Sequence, residues 1–230
     1  MNMTTNSNLI NYFNKYLKYI VLYGFISSTS FVLAGSYEDF FEATQRDQVK
    51  VISNLLSRGF DPNTVNLNAE PAIFDAWKHE SLNVLESLIK HPKTNLNVKN
   101  SHGESLLMLV SLKGNFKLAQ LLVERQADIN HPGWTPLHYA ATSGNSKIIK
   151  LLLEESAYID AESPNGTTPL MMAARYGSTE AVQLLIQEGA DIHLKNQLGL
   201  NALSFAKDGG RMEAMKLIEA ALAKVATPKS

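Results

Sequence analysis

The sequence predicts an all-α solenoid of about six helix-turn-helix units, and three observations carry that prediction. First, the stretch Gly133-Trp134-Thr135-Pro136-Leu137-His138-Tyr139-Ala140-Ala141 returns 33 residues later as Gly166-Thr167-Thr168-Pro169-Leu170-Met171-Met172-Ala173-Ala174. It returns again, weaker, from Gly199 to Lys207. Second, an independent glycine series, Gly144, Gly177 and Gly210, keeps the same 33-residue step. A fixed period of this length is the signature of a stacked repeat. Third, each unit ends in a dense apolar run such as Ala181-Val182-Gln183-Leu184-Leu185-Ile186. Such a run is too apolar for a helix with one face in water, so it lies between neighbours.

Before the repeats comes a different composition. Residues 1–18 carry Lys15 and Lys18 and no acid, and are followed by the apolar run Tyr19 to Ile26, a Ser27-Ser28-Thr29-Ser30 break and Phe31-Val32-Leu33-Ala34-Gly35. A basic segment, a short apolar core and small residues at Val32 and Ala34 read as a secretory signal peptide cleaved after Ala34. An uncleaved anchor is the competing reading, although a span needs about 20 predominantly apolar residues. With no cysteine there is no lipid-anchored N-terminus, and with no arginine before Arg46 the twin-arginine route is excluded. The expected location is the bacterial periplasm or the exterior, with no stable membrane anchor after cleavage.

The units follow at about 36–68, 69–101, 102–131, 132–164, 165–197 and 198–225, with 226–230 expected as a disordered tail. Each recurring residue has a local reason. Thr135 and Thr168 suit the N-cap, where a side-chain oxygen accepts from free helix N–H groups, and Pro136 and Pro169 suit the first helical position, whose N–H has no partner anyway. Paired alanines allow close helix contact, and bulk there would force helices apart. Gly114, Gly144 and Gly177 are expected to turn the chain in the left-handed conformation. Gln126 and Ser156 stand where glycine ends the second helix in other units. A left-handed non-glycine costs on the order of 1 kcal/mol, so another geometry is expected at those corners. The His131-Pro132 connection is three residues short, since Gly103 to Gly133 spans 30 residues, and unit two ends without glycine through Lys90 to Leu96. Regular stacking is therefore expected only in the C-terminal half. Tyr37, Glu38, Asp39, Glu42, Gln45, Arg46 and Asp47 suit a polar N-terminal cap, and Glu213, Lys216, Glu219 and Lys224 a C-terminal one.

The glycine, Thr-Pro-Leu-His, Ala-Ala, Gly, Leu-Leu and Gly-Ala-Asp positions resemble the ankyrin repeat over about residues 36–225, most closely in units four and five. The resemblance implies an ankyrin-repeat α-solenoid: antiparallel helix pairs in a curved stack with β-hairpin fingers projecting from it. It also implies a protein-binding module without catalytic activity.

Composition and motifs narrow the function further. Without residues 1–34 the chain has 19 basic against 22 acidic side chains, no footprint for nucleic acid. The absence of cysteine removes thiolate metal sites and Cys nucleophiles. None of His79, His91, His102, His131, His138 and His193 pairs with another at helical spacing, so no metal is expected, and His138 reads as a tie between finger and helix. No nucleophile elbow, phosphate loop or calcium loop occurs, and no cofactor is expected. The candidate binding set lies along one strip at the finger-to-helix face: Trp134, which the other units do not repeat, Arg175 and Tyr176 in unit five, Thr142 and Ser143 in unit four, and Lys113 and Glu104 in unit three. Trp134 is also open to the reading that it packs on the neighbouring finger. Leu112, Lys78 and His79 occupy matching positions, and Trp, Tyr and Arg dominate binding hot spots. Trp77, replacing the second alanine of unit two, reads as core or edge filling. The expected partner is another protein bound by a monomer; an accessory subunit of a periplasmic enzyme and a membrane-tethered scaffold are the alternatives.

Overall fold

The computed structural model describes residues 30–226. Among these residues are twelve helices in six antiparallel pairs: α1 (Ser30–Gln45) with α2 (Val49–Ser57), α3 (Ala72–Lys78) with α4 (Leu82–Lys90), α5 (Leu106–Lys113) with α6 (Phe116–Glu124), α7 (Pro136–Ser143) with α8 (Ser146–Glu154), α9 (Pro169–Tyr176) with α10 (Thr179–Gln187), and α11 (Ala202–Asp208) with α12 (Met212–Ala226). Odd-numbered helices stack on odd, except between α3 and α5, and even on even, which makes one continuous core from Phe40 to Ile218. The alanine pairs lie in that core, with Ala140, Ala141 and Ala174 fully buried where α5, α7, α9 and α11 pack directly on one another.

Most of the expected signal segment, and the tail from residue 227, lie outside the described residues. The bond after Ala34 falls within α1, and Phe40, Phe41, Ala43 and Thr44, which follow it, are buried. Cleavage there would leave those four residues in place. Helix α12 runs to Ala226, one residue into the expected tail.

The start signals act as their chemistry requires at Thr168, an N-cap with proline following whose hydroxyl accepts from the Met171 N–H. Thr135 holds the same N-cap position before proline, but its side chain makes no cap bond to a helix N–H and its hydroxyl goes to His138 Nδ1 instead. The corners depart from expectation in two places. Gly114 and Gly144 are left-handed, with φ of 74° and 70°, but Gly177 is extended at φ −76°, ψ −166°. It is required for space: a Cβ there would overlap the Ala141 carbonyl oxygen and come within 2.9 Å of the Ala173 Cα. Gln126 and Ser156 do take the left-handed conformation, with φ of 62° and 68°. Their backbones are held by N–H bonds to Val123 and Leu153 carbonyls at 2.8 and 3.0 Å, so the chain accepts the strain to keep the helix-ending geometry. Replacing each by glycine is expected to stabilise the fold by about 0.5–1 kcal/mol, the left-handed penalty less the added unfolded-chain entropy, read as a higher urea midpoint. Unit two closes without a left-handed residue. His91, before Pro92, is extended as proline demands of its predecessor, and the Thr94 hydroxyl donates to the Leu88 carbonyl at 2.6 Å.

Asp47 is not a solvent-facing cap residue. It sits at φ 54° and its carboxylate accepts from the Val84 N–H at 2.8 Å and from Asn83 Nδ2 at 2.6 Å. Unit one thereby caps α4 of unit two, and the nearer candidate, Ser81, leaves its buried hydroxyl without a partner. Asp47→Ala is expected to cost about 1–2 kcal/mol, whereas Ser81→Ala should cost far less; chemical denaturation of both variants checks this.

The fingers are turns more than hairpins. Among the described residues the bridges are isolated ones, Val65 with Pro71 and Lys99 with Ser105. Each turn is closed by a side chain: Asn66, Asn100 and Asn196 each accept with Oδ1 from the N–H groups two and four residues on. A second asparagine ladder joins neighbours, since Asn63 accepts from the Asn95 N–H, Asn97 from Asp128 and Asn130 from Tyr158. In units one and two the turn asparagine lies three residues after the ladder one. Asn130 keeps the ladder bond and is followed three residues on by Gly133, so the short connection has lost the turn itself.

Candidate functional site

The loss of that turn shapes the surface around Trp134. The chain runs from Asn130 into the Thr135 cap without a projecting tip, and the half-buried indole meets the His138 ring edge-on, centroids 5.1 Å apart. His138 is fully buried and held at both nitrogens. Nδ1 accepts from the Thr135 N–H at 3.1 Å and from its hydroxyl at 2.9 Å, so the proton is on Nε2, which donates to the Thr167 carbonyl at 2.9 Å. This is the tie between helix and finger, and it runs from unit four to unit five. Burial holds the imidazole at about 4, against an ordinary 6.5, although the Thr167 bond favours the charged form.

Trp134, Leu112, Tyr139, Thr142 and Met172 line a depression of about 200 Å³ at the angle between the turns and the odd helices. Its lining is almost wholly apolar. The Tyr139 hydroxyl donates to Glu104 Oε1 at 2.9 Å, and Asn100 Nδ2 donates to Glu104 Oε2 at 2.9 Å. Burial, then the neighbouring carboxylate, raise the Tyr139 phenol above its ordinary range, so it stays a neutral donor.

The structure thus divides the candidate residues. Trp134 and Thr142 share the depression, and Glu104 is joined to it through Tyr139. Thr142 donates to the His138 carbonyl at 2.8 Å, and the Ser143 hydroxyl donates within the stack to the Ser111 and Ala140 carbonyls, both at 3.0 Å. Arg175 pairs with Asp208 of the next unit and lies 5.1 Å from the centroid of the half-exposed Tyr176 ring. Exposed Lys113 stands 4.0 Å from Glu80. Tyr139 and Met172 escape a search for unrepeated residues around Trp134. Their signal was present: the position reads Leu109, Tyr139, Met172 and Phe205 in successive units, large but variable between constant neighbours. Trp77 is only half-buried; it touches the core with one side and lines an open cleft with the other. Among the described residues no group of three His, Cys, Asp or Glu side chains could hold a metal ion, and no helix is long and apolar enough to cross a membrane.

Comparison with known proteins places this geometry. The chain is 35% identical over 109 residues to the rat ankyrin repeat and SAM domain-containing protein 6, a match spanning 46% of this chain and 12% of that one. It is 29% identical over 163 residues to the bovine ankyrin repeat and SOCS box protein 3, covering 54% and 31% respectively. The chain therefore spans under a third of either relative. Among solved structures it superposes with a TM-score of 0.67 and 25% identity on one chain of the complex of the Bd0816 predatory endopeptidase from Bdellovibrio bacteriovorus with immunity protein Bd3460, covering 79% of this chain and 97% of that one. The family model for ankyrin repeats in three copies matches residues 40–132, 73–163 and 127–196. With the helix pairs, caps and turns in this register, the chain belongs to the ankyrin-repeat family.

Proposed function

We propose that this chain is a protein-binding scaffold acting outside the cytoplasm, engaging its partner through the apolar depression at Trp134. Ankyrin stacks serve as interaction surfaces. The observation that carries the site is that one unit has lost its turn and gained a tryptophan that its neighbours lack, over a recess the size of one large side chain. An aromatic anchor in a desolvated pocket is where binding energy concentrates. The location outside the cytoplasm is supported by the basic, apolar and small-residue pattern of residues 1–34.

A second reading narrows the partner to an enzyme. The matched complex pairs an endopeptidase with an immunity protein, and we infer that this chain takes the restraining part in such a pair. It then acts as an accessory or regulatory subunit of a periplasmic enzyme.

One experiment addresses location and site together. The chain, tagged at its C-terminus and expressed in a bacterium with an outer membrane, is recovered from the periplasm and weighed intact; a mass starting at Gly35 is expected, and a full-length product in the membrane fraction favours the tether. The same preparation retains its partner from periplasmic extract, and Trp134→Ala is expected to weaken that retention by about 30-fold or more. Unchanged capture by the variant removes Trp134 from the site. Loss of peptidase activity on adding the chain would support the second reading.

A further inference from the structure

Units two and three are joined differently from the rest of the stack. From unit four onward each unit is stapled to the one before it by a side chain that donates to a corner-glycine carbonyl: Asn145 to Gly114 at 3.2 Å, Ser178 to Gly144 at 2.9 Å, and Arg211 to Gly177. Among the described residues Asn115 makes no such bond to unit two. Helices α3 and α5 also fail to pack against each other as α5, α7, α9 and α11 do. The outer side of the same junction is closed, because Arg125 donates to the His91 carbonyl at 3.2 Å and Lys117 pairs with Glu86 at 2.7 Å. The junction is a wedge, hinged outside and open on the finger side. Its cause is Trp77, an indole where α7 and α9 have Ala141 and Ala174.

The opening is a cleft of about 850 Å³. Phe74, Trp77 and Leu109 supply apolar walls, and Lys78, Lys99 and His102 stand around them. Lys78 faces Glu70 at a loose 3.9 Å, and Lys99 has no carboxylate partner among the described residues. Glu104, in the same turn, has both oxygens taken by Asn100 and Tyr139. In a chain of net charge −1 the exposed charge of this cleft is positive. Leu109 lines the cleft and Leu112, one turn on in α5, lines the Trp134 depression, so the two recesses share one helix.

We propose that the cleft between units two and three binds a segment of the partner protein in which a large apolar side chain is flanked by Asp or Glu, the apolar group resting on Trp77 and the carboxylates on Lys78 and Lys99. This rests on the protein-binding reading above and names the chemistry of the bound segment. A continuous chain reaches the Trp134 recess along α5, which an isolated small molecule does not.

The test uses the full chain to select from a displayed random-peptide library. Enriched peptides are expected to place Asp or Glu beside Leu, Phe or Trp. In a Trp134→Phe background, where Trp77 is the sole tryptophan, a tryptophan-free synthetic version of an enriched peptide is expected to shift the emission to shorter wavelength. Lys78→Glu with Lys99→Glu, both exposed and checked for an unchanged unfolding midpoint, should weaken the peptide by about 10-fold or more, and added salt should weaken it in the unmodified chain. Peptides without acidic character, unchanged Trp77 emission, or equal affinity in the charge-reversed variant would overturn the proposal. Binding lost on Trp134→Ala but indifferent to charge reversal would leave the scaffold reading standing and remove the cleft. A dimer abolished by charge reversal in sedimentation would assign the cleft to a second copy instead, and failure to retain either peptide or protein would end both readings.

Discussion

Lowering the pH from 7 to 4 is expected to cost the folded chain about 3 kcal/mol through His138 alone. The imidazole titrates near its ordinary 6.5 once the chain unfolds and at about 4 in the buried site. Between these values the unfolded chain holds the extra proton and the folded chain does not. Stability that is fully present above about 6.5 is therefore lost as the pH falls through this window, and the loss levels off below about 4. Geometry gives the same answer. Nδ1 already accepts from two donors of Thr135, so a proton there faces the Thr135 N–H donor against donor at the head of α7, although the Nε2 bond to Thr167 survives. Carboxylates elsewhere also lose stability in acid, so the measurement is a difference. His138→Gln keeps an acceptor for the Thr135 N–H but cannot titrate. Urea denaturation of both chains at several pH values should show a shallower acid decline in the variant by about 3 kcal/mol. Parallel declines would mean that His138 is not held neutral by burial.

Gly177→Ala is expected to be the most damaging single methyl addition, at about 3–5 kcal/mol. The backbone there is extended, so alanine has no conformational objection to it. The penalty comes from the Ala141 carbonyl of α7 and the Ala173 Cα of α9, against which the new Cβ would press. Neither is the end of a flexible side chain, so units four and five would have to separate. Gly189→Ala offers the contrast. It is left-handed at φ 95° with open space around it, and should cost about 1–2 kcal/mol. Had Gly177 been left-handed, the two substitutions would cost similar amounts; comparable midpoints would reject the packing account.

Much of the architecture was legible because its determinants are local. A threonine before a proline marks a helix start, an alanine pair permits close approach, and a 33-residue echo shows both at once. The candidate site was legible only in part. Trp134 stands out by breaking the echo, but Tyr139 and Met172 belong to the same recess because α7 and α9 stack, and that neighbourhood is 33 residues wide in sequence. Arg175 and Tyr176 share the predicted strip, yet Arg175 is already committed to Asp208. Asp47 has every attribute of a surface residue until α4 arrives 35 residues later and presents a free N–H.

The helix-pair unit and its start signals followed from residue chemistry that recurs in each repeat, where each cap and corner depends on atoms a few residues apart. Packing between units was needed for everything that sets one junction apart from another. The left-handed conformations of Gln126 and Ser156 are held against their intrinsic preference, Gly177 answers to a carbonyl in the preceding unit, and Trp77 opens a cleft where alanine would have closed one. These features depend on atoms that meet only once neighbouring units stack, and no local propensity contains that contact.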